Sequence, residues 1–361
     1  MATASTRVDF PLPFSPTRNV TPAGSSQPSR SSCATAGIVA GHSCKEAGAP
    51  SFATTLRTGR WSRVQSLERL TARTYRAAVR GGLSVPDGRR YARRMPADAV
   101  VPFPDDAFRR VLCVVAHPDD VEYGTSSAVA AWTSQGIEVA YLLLTRGEAG
   151  MDGRPPDETA QLRMREQLDG SAAVGVTRVE FLQYPDGVLV YSLEMRRDIA
   201  RVIRRFRPDA VLVGSWDVEF VAGLNQADHR VAGLAAVDAV RDAGNRWVFP
   251  ELVDEGLDPW SPRWLLVSGD DRPTHGVDVT GEPLQRGIAS LEAHREYLAG
   301  IPGHPPPRMM ITGVTALQGQ RLGVRHAVLF RAHDFHAPPP IAVAAMQMAE
   351  QMAEQLAEQL A

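Results

Sequence analysis

Lysine is almost missing from this chain of 361 residues: Lys45 is the only one, and arginine supplies the rest of the positive charge. Cysteine is nearly as scarce, at three. Cys33 and Cys44 lie in low-complexity sequence and Cys113 in an apolar run, so no framework of paired cysteines is visible. That excludes a disulfide scaffold and points to a reducing, cytoplasmic compartment. No run approaches the roughly 18 apolar residues of a membrane helix. The N-terminus also lacks a charged segment followed by an apolar one, so neither a membrane span nor a secretory signal is expected. The glycine loops that cradle phosphates, G-x-G-x-x-G and G-x-x-x-x-G-K-[ST], are absent where a strand would need them. The G-x-S-x-G elbow of serine hydrolases is absent too. These gaps disfavour a nucleotide-binding protein and a serine hydrolase; Cys113, inside an apolar run, is poorly placed as a nucleophile.

What is present divides unevenly. The formal net charge is −2, which suggests neither nucleic acid nor membrane as a partner. Residues 1–95 hold fifteen Lys and Arg against four acids, a balance of +11 that leaves −13 for the remainder. This Pro-, Ser- and Arg-rich leader is expected to be a disordered basic segment, and its composition also suits a transit segment. Met95 is a plausible alternative start. One domain is expected over 96–335 and a helical tail over 336–361, where AAMQMAEQMAEQLAEQLA places apolar residues every four positions. That tail reads as a solvated helix or as a contact for a homo-oligomer.

Within the expected domain, short apolar runs alternate with amphipathic segments. Strands are expected at 111–116, 137–145, 179–184, 210–216 and 263–269. Helices are expected at 126–136, 158–176, 193–208 and 229–244. This alternation implies an α/β fold with a mostly parallel sheet and helices on both faces. Ligands in such folds sit beyond the carboxyl ends of the strands.

The first strand ends in VLCVVAHPDDVEYG, residues 111–124. Three acids and a histidine crowd its exit, which is costly unless a cation compensates them. His117 and Asp120 can ligate a metal, and Asp119 beside them can take a proton from a water that the ion activates. The alternative is a polar turn that caps the next helix.

The AHPDD stretch resembles the PIG-L/LmbE-like zinc-dependent de-N-acetylases, which carry that motif after the first strand of a Rossmann-like sheet. The resemblance covers roughly 110–300. It implies one Zn²⁺ per chain, held by His117 and Asp120, with Asp119 as general base. The third ligand in the family comes from the last residue of an HPDH motif; the matching stretch is Gln226-Ala227-Asp228-His229, which assigns His229. Asp228 is then expected to orient the His229 ring. The first histidine of HPDH is Gln226 here, a neutral donor that can support an oxyanion but cannot serve as an acid. Asn225 offers a second donor, and His275, in a polar loop after the last expected strand, can fold back to replace the missing imidazole.

The resemblance extends to TRGEAG (145–150), to Arg163 and Glu166 in an R-x-x-E pattern, and to Asp186 in YPDG. Arg163 and Asp186 are thereby linked to substrate. Each has a plainer reading, as an i,i+3 surface ion pair and a turn aspartate. Glu122 is expected to buttress the metal site or cap a helix. The activity implied is removal of an N-acetyl group from an amino-sugar-type small molecule. The alternatives are an amidase acting on a thiol conjugate or a specialised-pathway intermediate, and a relative that binds metal and sugar with weakened turnover.

Overall fold

The computed structural model describes residues 99–359 apart from 105; the leader expected over 1–95 lies outside the described residues. The chain runs β1 (Val101–Pro102), β2 (Arg110–Val115), α1 (Asp120–Gly124), α2 (Ser126–Ser134), β3 (Glu138–Leu143), α3 (Pro156–Ala173) and β4 (Arg178–Phe181). It continues through α4 (Leu193–Phe206), β5 (Ala210–Gly214), a hairpin of β6 (Glu219–Phe220) and β7 (Gly223–Leu224), α5 (Ala227–Ala243) and α6 (Glu251–Asp254). It closes with β8 (Trp264–Ser268), β9 (His275–Asp278), α7 (Glu282–Glu292), α8 (Arg295–Ala299), α9 (Pro307–Leu322), β10 (Ala327–Asp334) and α10 (Pro340–Gln359).

Eight strands form one sheet in the order β1-β9-β10-β8-β5-β2-β3-β4. The pairings from β4 through β8 are all parallel, whereas β10 runs antiparallel to both β8 and β9. The expected α/β class is therefore correct. The strand at 264–268 is not the last, however, because β9 and β10 extend the sheet beyond it.

The strands are apolar throughout because both faces of the sheet are covered. Alternate residues of β2 show this. Leu112 and Val114 enter a core with Met195, Ile199, Ile203 and Ala239 of α4 and α5. Val111, Cys113 and Val115 enter a second core with Ala128, Val129 and Trp132 of α2. α4 forms because Met195, Ile199, Val202, Ile203 and Phe206 recur at helical spacing on one face. Ser192 caps it, its side chain accepting from Met195 N at 3.1 Å. It ends at Arg207, with φ +55°, just before Pro208.

This order positions the site. From β2 the chain moves outward to β3 and β4 on one side, then returns to β5 and β8 on the other. The direction of strand addition reverses at β2, the place beyond whose carboxyl end such sheets bind ligands. The loop His117–Asp119, the loop after β4 and the first turn of α5 converge there.

Candidate metal centre

The turn after β2 is held by Asp120. Its Oδ2 accepts the backbone N–H of Ala116 at 3.0 Å and of His117 at 2.9 Å. Its Oδ1 is left facing the imidazoles, 3.0 Å from His229 Nε2 and 3.7 Å from His117 Nδ1. α5 starts at Ala227 with Gln226 as its N-cap, two residues earlier than the sequence pattern indicated, so His229 projects from the first helical turn.

The other nitrogen of His117, Nε2, lies 3.0 Å from Asp186 Oδ1 and 3.3 Å from Asp228 Oδ2. Two sets of ligand atoms thus meet at this ring: one with Asp120 and His229, the other with Asp186 and Asp228. The second set is already occupied by backbone donors. Asp186 accepts from Ala149 N at 2.8 Å, and Asp228 accepts from Gly187 N at 2.7 Å and Leu189 N at 3.0 Å. Those carboxylates orient His117 from behind, as metal-ligating histidines require. The first set presents a carboxylate oxygen and two imidazole nitrogens, the donors of a catalytic zinc site with a position left for water. Four aspartates, 119, 120, 186 and 228, surround this centre against one guanidinium, Arg163. That surplus of buried negative charge fits a dication.

The electrostatics of these groups agree. Burial opposes a charged His117 ring, but the carboxylates of Asp120, Asp186 and Asp228 outweigh it and hold its pKa well above the ordinary value. Burial likewise opposes charge on His229, and Asp120 raises its pKa regardless. Burial alone would raise the Asp120 pKa, but the two imidazoles pull it well below the usual carboxylate range. The carboxylates that favour charge on the rings would equally favour a cation between them.

Asp119 is buried at the left-handed φ of +89°. Its N–H donates to Gln167 Oε1 at 2.9 Å. Its Oδ1 lies 3.0 Å from Arg163 Nη2, which also donates to Pro118 O. The Tyr297 hydroxyl hydrogen-bonds the same carboxylate. Burial pushes the Asp119 pKa up to about 6, with Arg163 restraining the rise.

Several expectations need correction. Asp228 does not orient His229; it touches His117 and the 187–189 loop. Asp186 also touches His117, a contact the expected link to substrate did not include. Arg163 makes no surface pair with Glu166. It grips Asp119, while Glu166 accepts from Glu296 N at 2.6 Å and Tyr297 N at 3.3 Å. Asn225 is no outward donor: its Nδ2 donates to Ser215 O at 2.6 Å and Asp217 O at 3.1 Å, bracing the loop after β5. His275 opens β9, stacked on Phe103 at 4.8 Å and beside Trp264, the residue that begins β8. It thus packs in the aromatic cluster at the sheet edge and is not brought to His117.

Glu122 is wholly buried. Its Oε1 accepts from Gln167 Nε2 at 2.9 Å and Ser290 Oγ at 3.3 Å, so it meets the site through Gln167. TRGEAG acts on Asp186: Glu148 Oε1 accepts its N–H at 3.1 Å, and Ala149 donates to its carboxylate. Gly147, at φ +69°, is required there because a Cβ would lie 2.9 Å from Arg163 Nη1. Gln167 and Tyr297 were missed. Arg163, Gln167 and Ser171 form a buried polar row at i,i+4 spacing on α3, a signal the sequence did contain. Tyr297 carries no such signal.

The family described as PIG-L, GlcNAc-PI de-N-acetylase, matches residues 112–240. The chain is 34% identical over 181 residues to the diacetylchitobiose deacetylase of Thermococcus kodakarensis, spanning 50% of this chain and 66% of that protein. It is 31% identical over 249 residues to the 1D-myo-inositol 2-acetamido-2-deoxy-α-D-glucopyranoside deacetylase of Kineococcus radiotolerans, spanning 52% of this chain and 69% of that protein. Among solved structures, the N,N'-diacetylchitobiose deacetylase from Pyrococcus horikoshii superposes with a TM-score of 0.57 at 24% identity, over 64% of this chain and 87% of that one.

Proposed function

Because the chain belongs to the PIG-L family of de-N-acetylases, we propose that it removes an N-acetyl group from an N-acetylglucosamine-type small molecule, with Zn²⁺ as its metal. The two curated relatives act, by name, on diacetylchitobiose and on an inositol-linked acetamido sugar. The observation that carries the reading is the convergence of His117 Nδ1, Asp120 Oδ1 and His229 Nε2 beside the buried carboxylate of Asp119.

A divalent ion held by His117, Asp120 and His229 supplies, when bound, a lowered water pKa and a polarised acyl carbonyl. Asp119 takes the proton from water as its oxygen bonds to the carbonyl carbon. It then delivers that proton to the amide nitrogen as the C–N bond breaks, leaving acetate and a free amine. Asp186 and Asp228 keep the His117 ring in one orientation through this cycle. Gln226, at the entrance to α5, is the donor we assign to the oxyanion. The reading places the protein in the cytoplasm, with 96–335 as the catalytic domain. It also assigns homo-oligomer contacts to α10, where Ile341, Met346, Met348 and Met352 are exposed. Among the described residues, no helix is long and apolar enough to cross a membrane.

The test is elemental analysis of the full chain and of His229→Ala, together with acetate release from N,N'-diacetylchitobiose and N-acetylglucosamine conjugates. About one zinc per chain, lost in the variant, with acetate released by the parent is expected. Zinc bound without turnover on any acetamido sugar would favour the weakened binding relative that Gln226 allows. No zinc in either protein would overturn the mechanism.

A further inference from the structure

Arg163 Nη2 lies 3.0 Å from Asp119 Oδ1, and the same nitrogen also donates to Pro118 O. A shared donor does not by itself fix the plane of a carboxylate. A second group stands beside it. Tyr297 is buried, its ring lies under the Arg163 guanidinium at 3.7 Å, and its hydroxyl hydrogen-bonds the Asp119 carboxylate. Ring and hydroxyl do separate jobs. The face of the ring holds the plane of the guanidinium by cation–π attraction, which is strongest when water is excluded. The hydroxyl gives the carboxylate a second donor.

The delivery of Tyr297 is built into the same helix. α3 carries Arg163 and, one turn on, Glu166. Glu166 accepts the N–H groups of Glu296 and Tyr297 at the start of α8. α3 therefore grips the base with one side chain and, with the next, the short helix that brings the tyrosine. The R-x-x-E pattern becomes a local device with two ends, and Tyr297 joins them.

We infer that Tyr297 is a positioning residue for the deacetylation: with Arg163 it fixes the rotation of the Asp119 carboxylate so that one oxygen stays aimed at the reacting water. The inference rests on the hydrolase reading above, and it separates ring from hydroxyl.

The experiment compares Tyr297→Phe and Tyr297→Leu in the full zinc-loaded chain. Tyr297→Phe keeps the stack on Arg163 and loses only the hydroxyl. Its kcat is expected to fall by at least about tenfold, as misaligned catalytic groups do, with KM within about twofold and zinc content unchanged. Tyr297→Leu should fall further, so that Phe rescues part of the loss. A parental kcat in Tyr297→Phe overturns the inference. A second measurement needs no turnover: thermal unfolding of Tyr297→Phe, Asp119→Asn and the double variant. Non-additive Tm shifts are expected from a direct contact; additive shifts overturn the inference. If the parent hydrolyses no acetamido sugar, the hydrolase reading fails, and the unfolding cycle still decides whether Tyr297 holds Asp119.

Discussion

Asp119 occupies a backbone region that a non-glycine residue enters at a cost of order 1–3 kcal/mol. Its φ of +89° turns the carboxylate back toward α3 and Tyr297 while Asp120, the next residue, turns toward the imidazoles. Two adjacent aspartates thereby face different partners. Asp119→Asn should keep its zinc and lose about 10²- to 10⁴-fold in kcat, measured by acetate release beside elemental analysis; an unchanged kcat would remove the base assignment. Behind Asp119 lies a pair outside the proposed chemistry. Glu122 and His294 are wholly buried, with Oε2 and Nε2 4.0 Å apart. Burial raises Glu122 to about 8 from 4.5 and lowers His294 to about 3 from 6.5. Between pH 6.5 and 8 the unfolded chain has lost the Glu122 proton and the folded one keeps it, so stability falls as pH rises. Below pH 4.5 the unfolded chain binds a proton on His294 that the folded one refuses, so stability falls as pH drops. Each slope is about 1.4 kcal/mol per pH unit, and between 4.5 and 6.5 the two oppose each other. Glu122→Gln keeps an oxygen for Gln167 and Ser290 and has no proton to lose. Its Tm should therefore vary less than the parent's between pH 6.5 and 8; identical slopes would refute the assignment.

At the scale of elements, what the sequence revealed depended on how completely an element is buried. β2, β3, β5 and β8 were legible because covering both sheet faces leaves a continuous apolar run; β3, β5 and β8 lie inside their expected ranges and β2 starts one residue before its own. β9 was not legible. HGVD is short and half polar, and it is a strand only because β1 and β10 pair with it from distant parts of the chain. His275 was accordingly read as part of a loop, when pairing and the Phe103 stack hold it in the sheet. α4 is the opposite case, since its apolar spacing and Ser192 cap are both local. Ser192→Ala should lower stability by about 1 kcal/mol, read from the urea midpoint, without changing kcat. A loss of activity matching the loss of stability would mean that α4 contributes more to the site than its packing suggests.

At the scale of the molecule, the site is a meeting of segments that the sequence keeps apart. His117 and Asp120 were readable from charge crowded at a strand exit, whereas His229 was assigned only through the family resemblance. The partners of Asp186 and Asp228 could not be read at all, because both roles depend on the loop after β4 reaching α5. The metal would bridge the turn after β2 and the first turn of α5, so it should stabilise the whole fold. At a free zinc concentration about a hundredfold above Kd the gain is about 2.7 kcal/mol, or on the order of 5–10 °C in Tm for a domain of this size. Chelation should remove that gain and added zinc restore it. The same carboxylates that would hold a divalent ion also raise the pKa of both imidazoles, so protons would compete with the ion. The Tm gain from zinc should therefore shrink as pH falls from about 7.5 to 5.5, up to tenfold in affinity per pH unit for each proton displaced. Scanning calorimetry across that range, with His229→Ala as the control, separates the outcomes. A pH-independent gain, or the same gain in the variant, would place the zinc on other ligands.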